Sequence, residues 1–208
     1  MRDKFIKELM NQPSQNFGNN GTKINIHFPL RGDISHYCID INREIQKITK
    51  SGIDFAPSSF HVPHLTLYMG FIKNEDHYKR VLDSVHGFVL NMAPFEIIPT
   101  KAYVKEPKRN YIFIDTEQSQ KIIEIKQRLK ERVLQWIEPL SWDVVNETPH
   151  ITVGYIKDNF ETVEEMLEEY QIGPAWWADC IEVSYGGAWG SCLGSIRTFE
   201  FTDENSLD

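Results

Sequence analysis

Cysteine is scarce in this chain: Cys38, Cys180 and Cys192 are an odd number and form no Cys-x-x-Cys pair. Such a set offers neither a disulfide framework nor a thiolate zinc site, and a reducing cytoplasm is the expected compartment. No apolar run approaches the roughly 18 residues that cross a bilayer, and the first ten residues, MRDKFIKELM, are charged where a secretory leader would be apolar. Membrane association is therefore not expected, and the glycosylation sequons at Asn20 and Asn146 read as accidental. Positive charge is also in short supply, since 22 Lys and Arg against 30 Asp and Glu leave a formal net charge of −8. Coating duplex DNA requires clustered cations, so that function is argued against, whereas a small nucleotide or an oligonucleotide end stays open. What is present is a 208-residue chain with 41% hydrophobic residues, enough for one ample domain or two small lobes.

Two short segments then read almost alike, Pro63-His64-Leu65-Thr66-Leu67 and Pro149-His150-Ile151-Thr152-Val153. Seven histidines among 22 Ser and Thr residues give about 0.7 chance His-x-Ser/Thr hits, so the bare motif is weak. The matched frame is not: a proline before, an aliphatic residue between and an aliphatic residue after. None of His27, His36, His61, His77 or His86 has a hydroxyl residue two places on. On a strand, a histidine and a threonine two apart share a face, so each copy delivers one proton-transfer group and one hydroxyl to a common surface.

The surrounding chain repeats in the same order. Residues 2–10 read as a short amphipathic helix, set apart by the polar linker 11–21; together they form an arm over 1–22. INIHFPL (24–30) alternates as a strand, and 34–50 has helical spacing, with Asp33 as its cap. The first motif strand follows at His64–Gly70, then a helix near 75–91 and an extended segment over 95–105, broken at Pro99. YIFID (111–115) repeats the first strand 87 positions later, and a helix follows near 117–137. The second motif strand, 149–156, lies 86 positions after the first, and CIEVSYGG (180–187) lies 85 after FEIIPT, with a helix near 161–170 between them. A chain that runs β-α-β-α-β twice at one spacing is most simply a duplicated unit. The expected fold is α+β and two-lobed, with pseudo-two-fold symmetry around a central groove. It occupies 23–208 as one domain, with lobes of approximately 23–108 and 109–202 that can exchange strands, closed by a terminal strand over 196–202. Symmetry would set His64 opposite His150 across the groove.

These residues resemble the two His-x-Thr signatures of the two-histidine (2H) phosphoesterase superfamily, which includes 2′-5′ RNA ligase-like proteins and cyclic phosphodiesterases. The resemblance spans about residues 23–202, and its specific part is the two motifs with their spacing. It implies that His64 and His150 are the acid and base, that Thr66 and Thr152 hold phosphate oxygens, and that no metal or other cofactor is needed. The chemistry supports this independently: displacement at phosphorus requires one deprotonation and one protonation, and two imidazoles with ordinary pKa near 6.5 can divide them. Some members place a basic residue shortly after the second motif, whereas Gly154 and Tyr155 follow here and Lys157 is the nearest cation.

For substrate binding the candidates are Tyr68, Tyr155, Lys157, Trp142 and Trp189. Tyr68 shares strand parity with His64 and Thr66, and an exposed ring can stack on a base. Lys73, Lys105, Lys108 and Arg109 are further candidates for flanking phosphates, Tyr185 for stacking, and Phe17 for folding over the groove; as individual residues, solvated charges and buried rings are the simpler reading of each. A zinc site built on His61, His64 and His150 is disfavoured, because His61 and His64 differ by an odd number and face opposite ways on a strand. Cys38 falls on the apolar side of a helix and is no nucleophile. The expectation is a monomeric, metal-independent phosphodiesterase. Its substrate would be a small nucleotide, a cyclic nucleotide or an RNA end (a 2′,3′-cyclic phosphate, a 2′-5′ linkage or a cyclic oligonucleotide). The alternative is a nucleotide- or RNA-binding module that keeps the groove without turnover.

Overall fold

A computed structural model describes residues 21–56, 58–59, 61–107, 109–140 and 147–202. In chain order the elements are β1 (Thr22–Pro29), α1 (Asp33–Ile48), β2 (His61–Val62), β3 (His64–Ile72), α2 (Glu75–Val89), β4 (Phe95–Ile97), β5 (Pro99–Val104) and β6 (Tyr111–Thr116). They continue with α3 (Ser119–Val133), β7 (Glu138–Pro139), β8 (His150–Tyr155), α4 (Phe160–Glu168), β9 (Trp176–Ala178), β10 (Cys180–Gly186), a 3-10 turn (Ala188–Gly190) and β11 (Cys192–Glu200). The α+β order expected from the sequence is present twice. Some boundaries move: Gly32, at φ +64, occupies the cap position and Asp33 is the first helical residue. The third helix stops at Val133, leaving Trp136 in the turn that leads to β7.

A single curled antiparallel sheet carries the order β2-β11-β10-β1-β3-β8-β6-β5, with β7 on β3; β4 and β9 form a separate pair. The centre of this order is symmetric. Strands β10-β1-β3 on one side answer β5-β6-β8 on the other, so β5 from the first half of the chain completes the second set and β10 from the second half completes the first. Helices cross over in the same way: α2 and α3 cover β3, while α1 packs on β8 and α4 on β5. The hydrophobic core fills the space between these helices and one sheet face, through Ile24, Ile26, Phe28, Leu65, Leu67, Ile112, Ile114, Ile151 and Val153.

The two motif strands share an irregularity. Opposite β1 the register runs His27↔Thr66 and then Ile26↔Tyr68, so Leu67 is an extra residue in β3. Opposite β6 it runs Phe113↔Thr152 and then Ile112↔Gly154, which makes Val153 the extra residue in β8. A bulge of this kind inserts one residue and turns the following side chains to the other face. The paired registers superimpose at an offset of 86 throughout, which replaces the 87 read from the first strands.

Past the bulge, Gly70 meets β7 so closely that an added Cβ would lie 2.4 Å from Glu138 O and 2.4 Å from Ile137 Cγ2. One contact is backbone and cannot swing aside. Gly70→Ala is expected to destabilise the protein by about 1–3 kcal/mol through overpacking. A lowered urea midpoint at unchanged m-value checks this.

Candidate active site

The site follows from one pairing, Leu65↔Ile151, where β3 meets β8. Both of these residues point into the core. Their neighbours His64, Thr66, His150 and Thr152 therefore project from the opposite face. Antiparallel register around that pair sets His64 across from Thr152 and Thr66 across from His150. The two histidines lie on the diagonal, a separation of roughly 7–8 Å between such strands. That span accommodates one phosphoryl group between two imidazoles.

Both rings are anchored alike. His64 donates from Nδ1 to Val62 O at 2.8 Å, and His150 donates from Nδ1 to Thr148 O at 2.8 Å. Each anchor carbonyl belongs to the residue two before the histidine, so the extended Pro-His step of the motif itself fixes the tautomer and leaves Nε2 for chemistry.

Beyond the anchors the half-sites differ. His64 is 6% exposed. Its Nε2 lies 3.1 Å from Gly190 O and 3.2 Å from Asn25 Nδ2, and Asn25 Nδ2 also donates to Thr66 Oγ1 at 3.1 Å. The His27 ring stands edge-on to it, centroids 5.0 Å apart, with Nε2 2.7 Å from Ser184 Oγ. In the second half, Phe113 occupies the place of His27 and stacks on His150 at 3.8 Å. Tyr111 occupies the place of Asn25 and Tyr155 that of Met69. Tyr155 packs edge-on against Tyr111 at 4.9 Å and stacks on Trp189 at 4.0 Å. One half-site is hydrogen-bonded and the other aromatic.

Burial pulls both imidazoles below the ordinary value of 6.5. For His64 desolvation is the main cause, partly offset by the carbonyls of Val62 and Gly190. For His150 desolvation again leads, and with repulsion from Lys126, Lys105 and His64 it takes the group to about 4. His27 is driven well below 6.5 by complete burial and by its neighbour His64.

The other sequence candidates separate cleanly. The bulge at Leu67 carries Tyr68 to the helix side, where it is 4% exposed within the core. Strand parity fails there because one residue too many precedes it. The corresponding bulge brings Tyr155, which regular alternation from His150 would turn inward, onto the site face. Trp189 stands on the site rim, 37% exposed and at φ +56, and an added Cβ at Gly52 would meet its Nε1 at 2.9 Å. Lys157 is exposed just beyond β8. Lys105 has its ammonium 6.0 Å from the Phe113 ring, on the His150 side. Arg109 is engaged by Glu106, Glu161 and Glu164, and Lys73 pairs with Glu138 at 3.2 Å. Tyr185 lies within electrostatic reach of Tyr78 on α2. Trp142, Lys108, Phe17 and the arm over 1–20 lie outside the described residues.

His61 accepts from Asp54 N–H at 3.2 Å and lies close enough to His64 to disfavour a proton on it. Among the described residues, three close metal-ligating groups occur at Asp179, Cys180 and Glu200, away from the motifs. Burial raises the Cys180 thiol to about 12, which opposes a thiolate ligand there. Sequence reasoning missed Asn25 and His27; their signal was the polar alternation against Ile24, Ile26 and Phe28 in a strand that turned out to border the first motif.

The sequence profile of the 2′-5′ RNA ligase superfamily matches residues 39–184, a span that includes both motifs. The chain belongs to that superfamily. Solved structures agree in fold: TT0787 of Thermus thermophilus is 16% identical with a TM-score of 0.62, over 86% of this chain and 97% of that one. E. coli LigT in its apo form is 12% identical with a TM-score of 0.59, over 88% and 99%. Kluyveromyces marxianus Usb1 is 9% identical with a TM-score of 0.52, over 87% and 99%. No curated protein matches the sequence. LigT has been solved with ATP, NADP+, 3′-AMP and phosphate. Membership of this two-histidine phosphoesterase superfamily supports a phosphodiesterase-type function. Among the described residues no helix is long and apolar enough to cross a membrane.

Proposed function

We propose that this protein cleaves a phosphodiester in a small nucleotide or at an RNA end by two-histidine acid-base catalysis, without a metal. The observation that carries the reading is the Leu65↔Ile151 pairing, which gathers His64, Thr66, His150 and Thr152 on one face. His150 Nε2 takes the proton from the attacking water or hydroxyl, and His64 Nε2–H gives one to the departing oxygen. Two features support this direction. Both His64 nitrogens face carbonyl oxygens, an environment that accepts two N–H donors, whereas Lys105 and Lys126 disfavour a proton on His150. Thr66 and Thr152 donate to the non-bridging oxygens, where negative charge grows in the transition state. An anionic phosphate between the rings supplies the counter-charge that protonates His64 on binding.

The aromatic half-site supports a nucleotide substrate. Tyr155, on the same strand as His150, and Trp189, next to the Gly190 that meets His64, present stacked, partly exposed rings, and stacking is worth about 1–3 kcal/mol per base. Lys157 and Lys105 are the cations available to a flanking phosphate.

The test is hydrolysis of a panel of 2′,3′-cyclic mononucleotides, 2′-5′-linked dinucleotides and cyclic dinucleotides, with and without excess chelator. Turnover of at least one class, unaffected by chelator and abolished in the His64→Ala and His150→Ala proteins, is the expected result. Binding without cleavage of any class would instead identify a nucleotide-binding module, and chelator-sensitive turnover would overturn the metal-free mechanism.

A further inference from the structure

Asn25 is fully buried on β1, and its carboxamide reaches two members of the site at once: Nδ2 is 3.2 Å from His64 Nε2 and 3.1 Å from Thr66 Oγ1. Its Oδ1 is buried with no hydrogen-bond partner. Leaving a buried acceptor unsatisfied costs about 1–3 kcal/mol, so such a group calls for a reason. The corresponding position on β6 is Tyr111, which offers no amide to His150. The arrangement is therefore specific to one of the two histidines.

The hydrogen-bond arithmetic at His64 supplies the reason. With Nδ1–H committed to Val62 O, a neutral His64 has only a lone pair at Nε2. That lone pair accepts from Asn25 Nδ2 and cannot bond to Gly190 O, 3.1 Å away. A protonated His64 reverses the requirement: its Nε2–H can donate to Gly190 O, and Asn25 Nδ2 then sets a second donor against it. Rotating the Asn25 amide by 180° exchanges its two ends and brings the unpartnered Oδ1 to the position that faces both Nε2 and Thr66 Oγ1. Thr66, whose hydroxyl both donates and accepts, fits either orientation.

We propose that Asn25 is a positioning residue whose amide flips to follow the proton on His64, holding the His64 ring and the Thr66 hydroxyl in one frame through the acid-base cycle. This rests on the two-histidine reading above. A fixed donor at this place would oppose the protonated ring and a fixed acceptor would oppose the neutral one. An amide matches both, so neither stage of the cycle leaves Nε2 facing the wrong partner. Asn25 acts through His64 and Thr66, its two hydrogen-bond partners, and not on the substrate itself. The titratable groups near His64 are His27 from β1, His61 from β2 and His150 from β8; His61 disfavours a proton on His64, and His64 in turn disfavours one on His27 and on His150.

Asn25→Ala and the near-isosteric Asn25→Asp test this, read by NMR titration of the His64 ring and by kcat and KM across pH. For Asn25→Ala, kcat is expected to fall about 10–100-fold from loss of positioning, with KM changed far less. For Asn25→Asp, the fixed carboxylate should move the His64 titration upward by about one pH unit or more, carrying the alkaline limb of kcat/KM with it. Should Asn25→Ala fail to fold, Asn25→Asp alone decides the matter. An unchanged His64 titration in Asn25→Asp overturns the proposal, as does a loss of kcat in both variants with wild-type pH profiles, which is the signature of a purely structural role. The titration needs no turnover. If it follows Asn25 while the wild type cleaves no phosphodiester, the positioning role stands and the catalytic reading falls.

Discussion

Replacing His64 or His150 with alanine is expected to lower turnover of a phosphodiester with a ribose or alkyl leaving group by about 10²–10⁴-fold each. The two variants should part company on a p-nitrophenyl phosphodiester. Nitrophenolate departs without help from an acid, so His64→Ala should recover to within about tenfold of wild type on that substrate. His150→Ala should remain impaired, since the incoming nucleophile still has to lose its proton. The physical basis is the difference between the half-sites: carbonyls of Val62 and Gly190 at both nitrogens of His64, against Phe113, Lys105 and Lys126 around His150. If His150→Ala is the variant rescued by the activated leaving group, the roles are exchanged. If neither variant loses activity on either substrate, paired acid-base catalysis is wrong. The double variant should be little worse than the poorer single one, because the two groups act as a unit and their effects do not add.

Much of this arrangement is legible before any coordinates. The duplicated order, the four helices among the described residues and the shared face of the two motifs follow from periodicity and from the parity of His64 with Thr66 and of His150 with Thr152. What sequence could not convey is one inserted residue. Leu67 and Val153 satisfy the alternation as written; nothing in LTLY marks a bulge, and in ITVGY only Gly154 hints at one. The rotation it causes removes Tyr68 from the site and brings Tyr155 into it. The exchange of β5 and β10 between the two halves is likewise invisible locally, because it is decided by which edge each strand finds after its helix. Asn25 illustrates a third kind of gap. A polar residue in an alternating strand reads as solvent-facing, whereas this one is fully buried on the site face, bonded to His64 and Thr66. Trp189 reaches the site from the connection between β10 and β11 at a positive φ, a conformation that no residue preference would assign to tryptophan.

The pH dependence should be unusual for an imidazole pair, with kcat/KM optimal on the acid side of neutrality. This quantity reports the free protein, so its limbs are set by the unliganded histidines. His150, at about 4, supplies the acid limb. His64, pulled below 6.5 by burial, supplies the alkaline limb. Activity should therefore decline about tenfold per pH unit above roughly 6.5, while kcat, which reports the complex, extends to higher pH because bound phosphate favours the protonated ring. Removing one of the charges that repel a proton from His150, by Lys105→Met, should move the acid limb upward and leave the alkaline limb in place. An optimum at pH 8 or above in kcat/KM, with no limb below about 7, would overturn the assignment of both limbs to these rings. The same shifts bear on folding. An imidazole whose folded pKa lies below its unfolded value of about 6.5 binds fewer protons when native, so unfolding takes up protons between the two values. Stability is then fully present above about 6.5 and is lost as pH falls towards about 4. For half-buried His150 alone this amounts to no more than about 3 kcal/mol, and fully buried His27 acts in the same direction. Activity measured at the acid limb must consequently be recoverable on return to about pH 6. Reversible loss that moves with Lys105→Met belongs to His150, whereas loss that follows the circular dichroism signal belongs to unfolding.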